Sequence, residues 1–98
     1  MAKVIVRYRF VYPDMDQKVV DVVQLNEPKY MDGIKYDFTY LKYVESSGEH
    51  VRILAVDNSH GRPHVHRAGR EKEVDWDWEQ AFNEFEKMVK EYRKRNNL

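Results

Sequence analysis

The hydrophobic pattern of this chain changes its period once, from two residues to three or four, and this change limits the folds available to it. In residues 3–12, the apolar side chains of Val4, Val6, Tyr8 and Phe10 alternate with a second set that is mainly basic. A period of two with β-branched and aromatic residues predicts a strand. Further segments of this type predict the remaining strands: 18–25, 34–45, 50–57 and a short one from Pro63 or His64 to about Arg67.

The C-terminal part of the chain carries one wide apolar stripe with helical spacing. Its members are Trp78, Ala81, Phe82, Phe85, Met88 or Val89, and Tyr92. Asp75 or Asp77 can cap this helix, which Asn96 and Asn97 end, and acidic side chains precede basic ones along it as the helix dipole favours. The predicted fold is therefore α+β: an antiparallel, meander-like sheet of four to five strands with one amphipathic helix packed on one face.

The composition fits a single domain that covers residues 1–98. This length and a hydrophobic content of 42% suffice for one core. The chain has no cysteine, which excludes disulfides and thiolate nucleophiles and fits the reducing cytoplasm that we expect as its location. No apolar stretch approaches the roughly 18 residues that a membrane span needs, so no membrane partner is expected. The net charge is zero, so general attraction to nucleic acid is not expected either.

Residues 56–66 contain three of the four histidines in the chain. This run spans the end of the fourth predicted strand and the start of the fifth. Asp57 and His64 should therefore face each other, with Cβ atoms about 4.5–5.5 Å apart. His64 and His66 are two residues apart on a strand, so they point to the same face, which Asp57 shares. The sequence thus predicts a carboxylate beside two imidazoles.

Such a group suits acid–base cleavage of a phosphodiester without a metal. One imidazole takes the proton of a ribose 2′-hydroxyl and a second protonates the leaving oxygen, because imidazole titrates near neutral pH. An adjacent aspartate fixes the tautomer, and an arginine stabilises the phosphorane charge. The predicted catalytic residues are Asp57, His60, Arg62, His64 and His66, of which His60 and Arg62 lie on the loop. The predicted substrate-binding residues are Asn58, Arg67, Arg7 and Arg9.

Two other interpretations of the run stay open. His60, His64 and His66 have the spacing of a three-histidine site for a divalent metal, with Asp57 as a fourth ligand and space for a water. Alternatively, the turn-forming residues only shape the loop, Asp57 binds the loop backbone in an Asx turn, and the domain has an interaction or structural role without catalysis. His50 stands alone at a strand start and is expected to be inert.

The stretch from Arg52 to His66 resembles the TumE-like toxins of prokaryotic toxin–antitoxin pairs. The matching residues are Asp57, Asn58 and His60, in the core that follows an apolar strand, and His64 and His66, near the later histidines of the family. The resemblance implies a small α+β protein with a C-terminal helix that arrests growth by acting on RNA and that has a DNA-binding antitoxin as its partner. A homodimer is a further expectation, because the edge strands of a small sheet pair easily.

Overall fold

The computed structural model describes residues 2–98, and over this range it shows one antiparallel sheet and one C-terminal α-helix. The strands lie in the sheet in chain order, as a meander. They are β1 (Lys3–Val11), β2 (Gln17–Gln24), β3 (Ile34–Val44), β4 (Glu49–Asp57), β5 (His64–Arg67) and β6 (Arg70–Glu73), and the helix is α1 (Trp78–Arg95). The predicted α+β meander with a C-terminal helix is confirmed, but the sheet has six strands where four to five were predicted.

The sixth strand escaped prediction because β6 contains no apolar residue. Its sequence is Arg-Glu-Lys-Glu, and all four residues are exposed. The connection from β5 is the two-residue turn Ala68-Gly69, whose φ angles are 52° and 75°. Positive φ at both central residues fits a type I′ turn, whose twist matches that of the flanking strands. Backbone pairing with β5, rather than hydrophobic burial, therefore defines β6.

Helix α1 packs across the central strands β3 and β4. Asp77 is its N-cap and accepts a hydrogen bond from the Gln80 amide at 2.8 Å, which selects Asp77 over Asp75. The predicted stripe faces the sheet, and the two layers share one core: Val20, Val22, Tyr36, Phe38, Tyr40, Leu54, Val56, Ala81, Phe85, Met88 and Val89. Within residues 2–98, no helix is long and apolar enough to cross a lipid bilayer.

Coverage of one sheet face by α1 leaves the opposite face, here named the distal face, to polar side chains. Because successive residues of a strand point to opposite faces, the strand register decides which residues share it. The first row of cross-strand neighbours on the distal face is Arg7, Asp21, Asp37, Asp57, His64 and Glu73. The second row is Arg9, Val19, Thr39, Ala55, His66 and Glu71.

A polar cluster joins the end of α1 to the loop between β1 and β2. Asp16 is 3% exposed, and its carboxylate accepts hydrogen bonds from the Tyr43 amide at 2.8 Å and from the Tyr40 hydroxyl. Arg93 of α1 donates to the Tyr40 hydroxyl oxygen at 2.7 Å and lies 3.7 Å from the centre of the Tyr12 ring. Every charged member of this cluster therefore has a partner of opposite charge or a hydrogen bond. The cluster fixes the last turns of α1 over the sheet.

We expect the substitution Asp16→Ala to lower the free energy of unfolding by about 2–4 kcal/mol, because it leaves the Tyr43 amide and the Tyr40 hydroxyl without their acceptor in a buried site. Urea denaturation followed by circular dichroism measures the change. Arg95→Ala is the matched control: this exposed guanidinium lies 3.9 Å from Glu91, and its loss should change stability by under about 0.5 kcal/mol. Equal losses in the two variants would contradict the role given to Asp16.

Candidate functional site

The loop between β4 and β5 is anchored by Asn58, which is 1% exposed. Its side-chain oxygen accepts a hydrogen bond from the Tyr36 amide at 2.8 Å, and its side-chain amide donates to the Ile34 carbonyl at 2.9 Å. The Asn58 backbone amide also donates to the Tyr36 carbonyl, at 3.2 Å. Asn58 thus holds the end of β4 against β3 and retains almost no surface for a substrate. The structure thus gives Asn58 a structural role, and its substrate-binding role stays a prediction.

Asp57, the last residue of β4, uses both of its carboxylate oxygens. Oδ1 accepts a hydrogen bond from the Ser59 amide at 3.1 Å, and Oδ2 lies 3.1 Å from Nε2 of His66. The Asp57 side chain is only 12% exposed, so water competes weakly for these contacts. The sequence left open whether Asp57 shapes the loop or orients a histidine, and in the structure one carboxylate contacts both groups.

His64 and His66 both lie on the distal face, but Asp57 contacts the diagonal histidine and not the one directly opposite. The register pairs Asp57 with His64 and Ala55 with His66. Because Ala55 carries only a methyl group, the His66 ring has space to lean toward Asp57. The two imidazole ring centres are 6.4 Å apart. We refer to Asp57, His64 and His66 as the His–Asp group.

A surface cavity of about 320 Å³ lies beside His66. It is lined by Arg52, Ile53, His66, Arg67, Gly69, Arg70 and Glu71. Arg52 shares the distal face with His66, whereas Arg67 and Arg70 line the cavity from the side of the sheet that faces α1. A guanidinium next to an imidazole suits an anionic group such as a phosphate. Arg67 was predicted to bind substrate and does line this cavity, while it also lies 3.5 Å from Glu91 of α1.

Sequence reasoning missed Arg52, Arg70 and Glu71 at this cavity. Arg52 pairs with Leu41, and the register shift between Tyr40 and Leu41 allows Arg52 to share the distal face. Such a bulge cannot be read from alternation, which it interrupts. Arg70 and Glu71 belong to β6, for which Gly69 was the available turn signal. Glu71 Oε1 lies 3.7 Å from His64 Nε2 and so adds an anion to the site.

The two loop residues that were predicted to be catalytic, His60 and Arg62, lie outside the His–Asp group. His60 is exposed on the loop and is not among the residues that line the cavity at His66. Arg62 donates to Glu73 at 3.0 Å and lines a different groove with Pro63. The structure therefore brings together three of the five predicted catalytic residues.

Arg7 and Arg9 share the distal face with the His–Asp group but lie at the other edge of the sheet. Four strand spacings separate β1 from β5, which corresponds to about 19 Å. The Arg7 Nε is 2.7 Å from Asp21, and Arg9 donates to the Gln17 side chain. A group bound at His66 is thus out of reach of both arginines, and their role in substrate binding stays a prediction.

The alternative metal site is not assembled. Among residues 2–98, no three side chains of the His, Asp or Glu type are placed so that they could hold a metal ion. The predicted ligand set of His60, His64, His66 and Asp57 fails because His60 stays on the exposed loop while the other three lie on the sheet.

Three carboxylates lie next to one another in the first row of the distal face. Asp37 is the cross-strand neighbour of both Asp21 and Asp57. The pKa of Asp37 is raised, chiefly because neighbouring atoms displace water from its carboxylate, and the charges of Asp57 and Asp21 add to this effect. A hydrogen bond from Thr39 and the charge of Arg52 oppose the increase. The row therefore carries electrostatic repulsion close to the His–Asp group.

Comparison with known proteins found no relative: no family model, no curated protein and no solved structure matches this chain. The geometry of the site is therefore the basis on which a function can be proposed.

We expect Asp37→Asn to stabilise the protein near neutral pH by about 0.2–1 kcal/mol, because it removes one charge from the carboxylate row. A carboxyl group whose folded-state pKa is raised favours the folded state when protonated, and this contribution is lost as the pH rises through that pKa. The advantage of the variant should therefore vanish below the unfolded-state pKa of about 3.9. Urea denaturation near neutral pH and again below the unfolded-state pKa measures the difference in unfolding free energy between variant and wild type. The exposed Glu45→Gln is the control. A destabilised variant at pH 7 would contradict the repulsion.

The contact between Asp57 and His66 predicts the tautomer of the neutral imidazole. Donation from Nε2–H to the carboxylate leaves Nδ1 unprotonated and basic. Nitrogen chemical shifts from long-range ¹H–¹⁵N NMR spectra should therefore report the Nε2–H tautomer for His66. In Asp57→Ala the two tautomers should mix, while the spectrum of His50, at the other end of β4, stays unchanged. A His66 tautomer that is insensitive to Asp57 would show that the contact does not orient the ring.

Proposed function

We propose that this protein is a metal-independent endoribonuclease that cleaves RNA with the His–Asp group. The observation that carries this proposal is the Asp57 carboxylate 3.1 Å from Nε2 of His66, with the His64 ring centred 6.4 Å from that of His66. A histidine held by a carboxylate next to a second histidine supplies a base and an acid at one site. Neither role requires a metal ion.

His66 is the proposed general base. Asp57 holds Nε2–H, so the lone pair of Nδ1 is free to take the proton of a ribose 2′-hydroxyl. The 2′ oxygen then forms a bond with phosphorus, and Asp57 stabilises the imidazolium that results. Asp57 acts through His66 and is a positioning residue in this scheme.

His64 is the proposed general acid. Its imidazolium donates a proton to the 5′ oxygen as the bond between phosphorus and this oxygen breaks, which gives a 2′,3′-cyclic phosphate and a free 5′-hydroxyl. Glu71 Oε1 lies 3.7 Å from Nε2 of this ring. Each ring needs one hydrogen bond of about 2.6–3.2 Å to an oxygen on its own side of the phosphorus, and ring centres 6.4 Å apart leave space for the phosphate between them.

The cavity beside His66, which His64 does not line, is the proposed site for a phosphate next to the scissile one. Arg52, on the distal face, can bind the non-bridging oxygens of this phosphate, while Arg67 and Arg70 line the cavity from the side of the sheet that faces α1. The carboxylates of Asp21 and Asp37 disfavour an RNA path across the middle of the sheet. The proposed path therefore follows the β5–β6 side of the molecule, where the three arginines lie.

A non-enzymatic interaction domain is the second candidate, and the carboxylate row is the observation that favours it. Asp21, Asp37 and Asp57 in one row would attract a cationic partner to the distal face. Such a domain would bind its partner without turnover of RNA. In the ribonuclease proposal, by contrast, expression of the protein arrests growth, as in the toxins that the motif resembles.

The test is cleavage of single-stranded RNA by purified, untagged protein in the presence of EDTA. We expect His66→Ala and His64→Ala each to lose at least about 100-fold in rate, the usual contribution of a general acid or base. His60→Ala and His50→Ala are the matched controls and should retain the wild-type rate, because neither ring belongs to the His–Asp group. A substrate with a single 2′-deoxyribose at the cleavage site should not be cut.

Three results would contradict the proposal. These are an equal loss in all four histidine variants, cleavage only when a divalent metal is added, and cleavage of the 2′-deoxy substrate. Absence of any cleavage by the wild type, together with retention of a cationic protein partner, would favour the interaction domain. Growth of cells that express wild-type protein or His66→Ala provides the corresponding test in vivo.

A further inference from the structure

The two edges of the sheet carry opposite charges on the same face. Strands β1 and β6 are the first and last in the sheet order. On the distal face, β1 presents Arg7 and Arg9, while β6 presents Glu73 and Glu71. Charged residues on an edge strand usually prevent pairing with another copy of the same edge. Because the two edges carry opposite charges, pairing of β1 of one copy with β6 of another is electrostatically favourable.

The register of the sheet places these charges in matching rows. Arg7 and Glu73 belong to the first row of the distal face, and Arg9 and Glu71 belong to the second. Since the six strands alternate in direction, β1 of a second copy would run antiparallel to β6 if the meander continued. In that position Glu73 meets Arg7 of the second copy, and Glu71 meets Arg9.

We propose that copies of this protein associate head to tail, with β1 of one copy adding to β6 of the next. The acidic and basic side chains that would pair remain accessible: the Arg7 side chain is 60% exposed, although it contacts Asp21, and that of Glu73 is 52% exposed, although it contacts Arg62. The backbone hydrogen bonds of the added strand supply the affinity, and the two charge pairs select the register.

The helix side of the same edges is complementary as well. Tyr8 and Phe10 of β1 are 39% and 49% exposed, because α1 packs on β3 and β4. In the proposed register these rings lie opposite Lys72 and Arg70, whose alkyl stems can cover them. A groove of about 280 Å³ between β6 and α1 lies next to this position, and its apolar lining residues are Val65, Val74, Trp76 and Met88.

Symmetric pairing of identical edges is disfavoured by the same charges. In a dimer that pairs β1 with β1, Arg7 and Arg9 would face basic residues of the other copy, and in one that pairs β6 with β6, Glu71 and Glu73 would face acids. A head-to-tail contact leaves one free edge at each end, so it produces oligomers larger than a dimer. The proposal does not depend on catalysis by the His–Asp group.

Charge reversal on each edge tests the proposal. We expect the wild type to increase in mean mass with concentration in sedimentation velocity runs, and this increase should diminish in high salt. The variants Arg7→Glu/Arg9→Glu and Glu71→Arg/Glu73→Arg should each be monomeric, because all their edges then carry one sign of charge. An equimolar mixture of the two variants should assemble again. Circular dichroism verifies that each variant is folded.

A wild type that stays monomeric at all concentrations would overturn the proposal, and so would a mixture that fails to assemble from two folded variants. Assembly that survives reversal of the β6 charges alone would indicate pairing of β1 with itself and would also overturn it. These measurements do not involve RNA, so their failure is distinct from failure of the ribonuclease proposal.

Disulfide trapping identifies the edges in contact, because the chain has no cysteine of its own. The double variant Arg9→Cys/Glu71→Cys should form a ladder of linked oligomers on mild oxidation. Within one copy the two positions are five strand spacings apart, about 24 Å, whereas a disulfide needs Cα atoms within about 7 Å. Arg9→Cys alone is the control and should stay unlinked. Equal cross-linking of the control and the double variant would overturn the head-to-tail register.

Discussion

Burial of one sheet face under α1 is the constraint on which the rest of this structure depends. Phe85 and Val89 of the helix pack with Phe38 and Val56 of the central strands, and these side chains are almost completely buried. Because side chains alternate along each strand, this packing also determines which face of the sheet the remaining strand residues occupy. A slip of one residue in β5 would turn His66 toward the helix and Val65 toward solvent, at the cost of the core. The position of the His–Asp group therefore follows from packing on the opposite side of the sheet.

The resulting distal face places carboxylates of the same charge next to one another, so some of its contacts are repulsive. Asp57 is the partner of His66 and also the neighbour of Asp37, so the carboxylate that orients the imidazole takes part in the repulsion of the first row. A sheet face optimised only for stability would separate these charges. Local conflicts of this kind concentrate at functional sites, where residues are retained for their chemistry. The pKa of Asp37 is raised mainly by desolvation, and the charges of Asp57 and Asp21 add to this increase.

Sequence patterns predicted the parts of the site that depend on alternation and hairpin pairing. The common face of His64 and His66, and the pairing of Asp57 with His64, follow from a period of two and a short loop. The diagonal contact with His66 did not follow, because it requires the space above Ala55. Arg52 required knowledge of a bulge. The buried position of Asn58 was hidden because asparagine in a loop usually binds solvent or its own backbone, whereas here it binds β3.

By itself, the sequence determined the first five strands and the helix and, away from the bulge in β4, which residues share a face, because these properties depend on the local period of hydrophobicity. Tertiary structure alone decided that Asp57 contacts His66 and that Arg52, Arg67 and Arg70 line a cavity beside it. It also brought Asp16 and Arg93, 77 residues apart, into one buried cluster. These contacts join side chains from different strands or from strand and helix, and their distances depend on register, bulges and twist. A local pattern along one chain does not contain this information, whereas the packed sheet does.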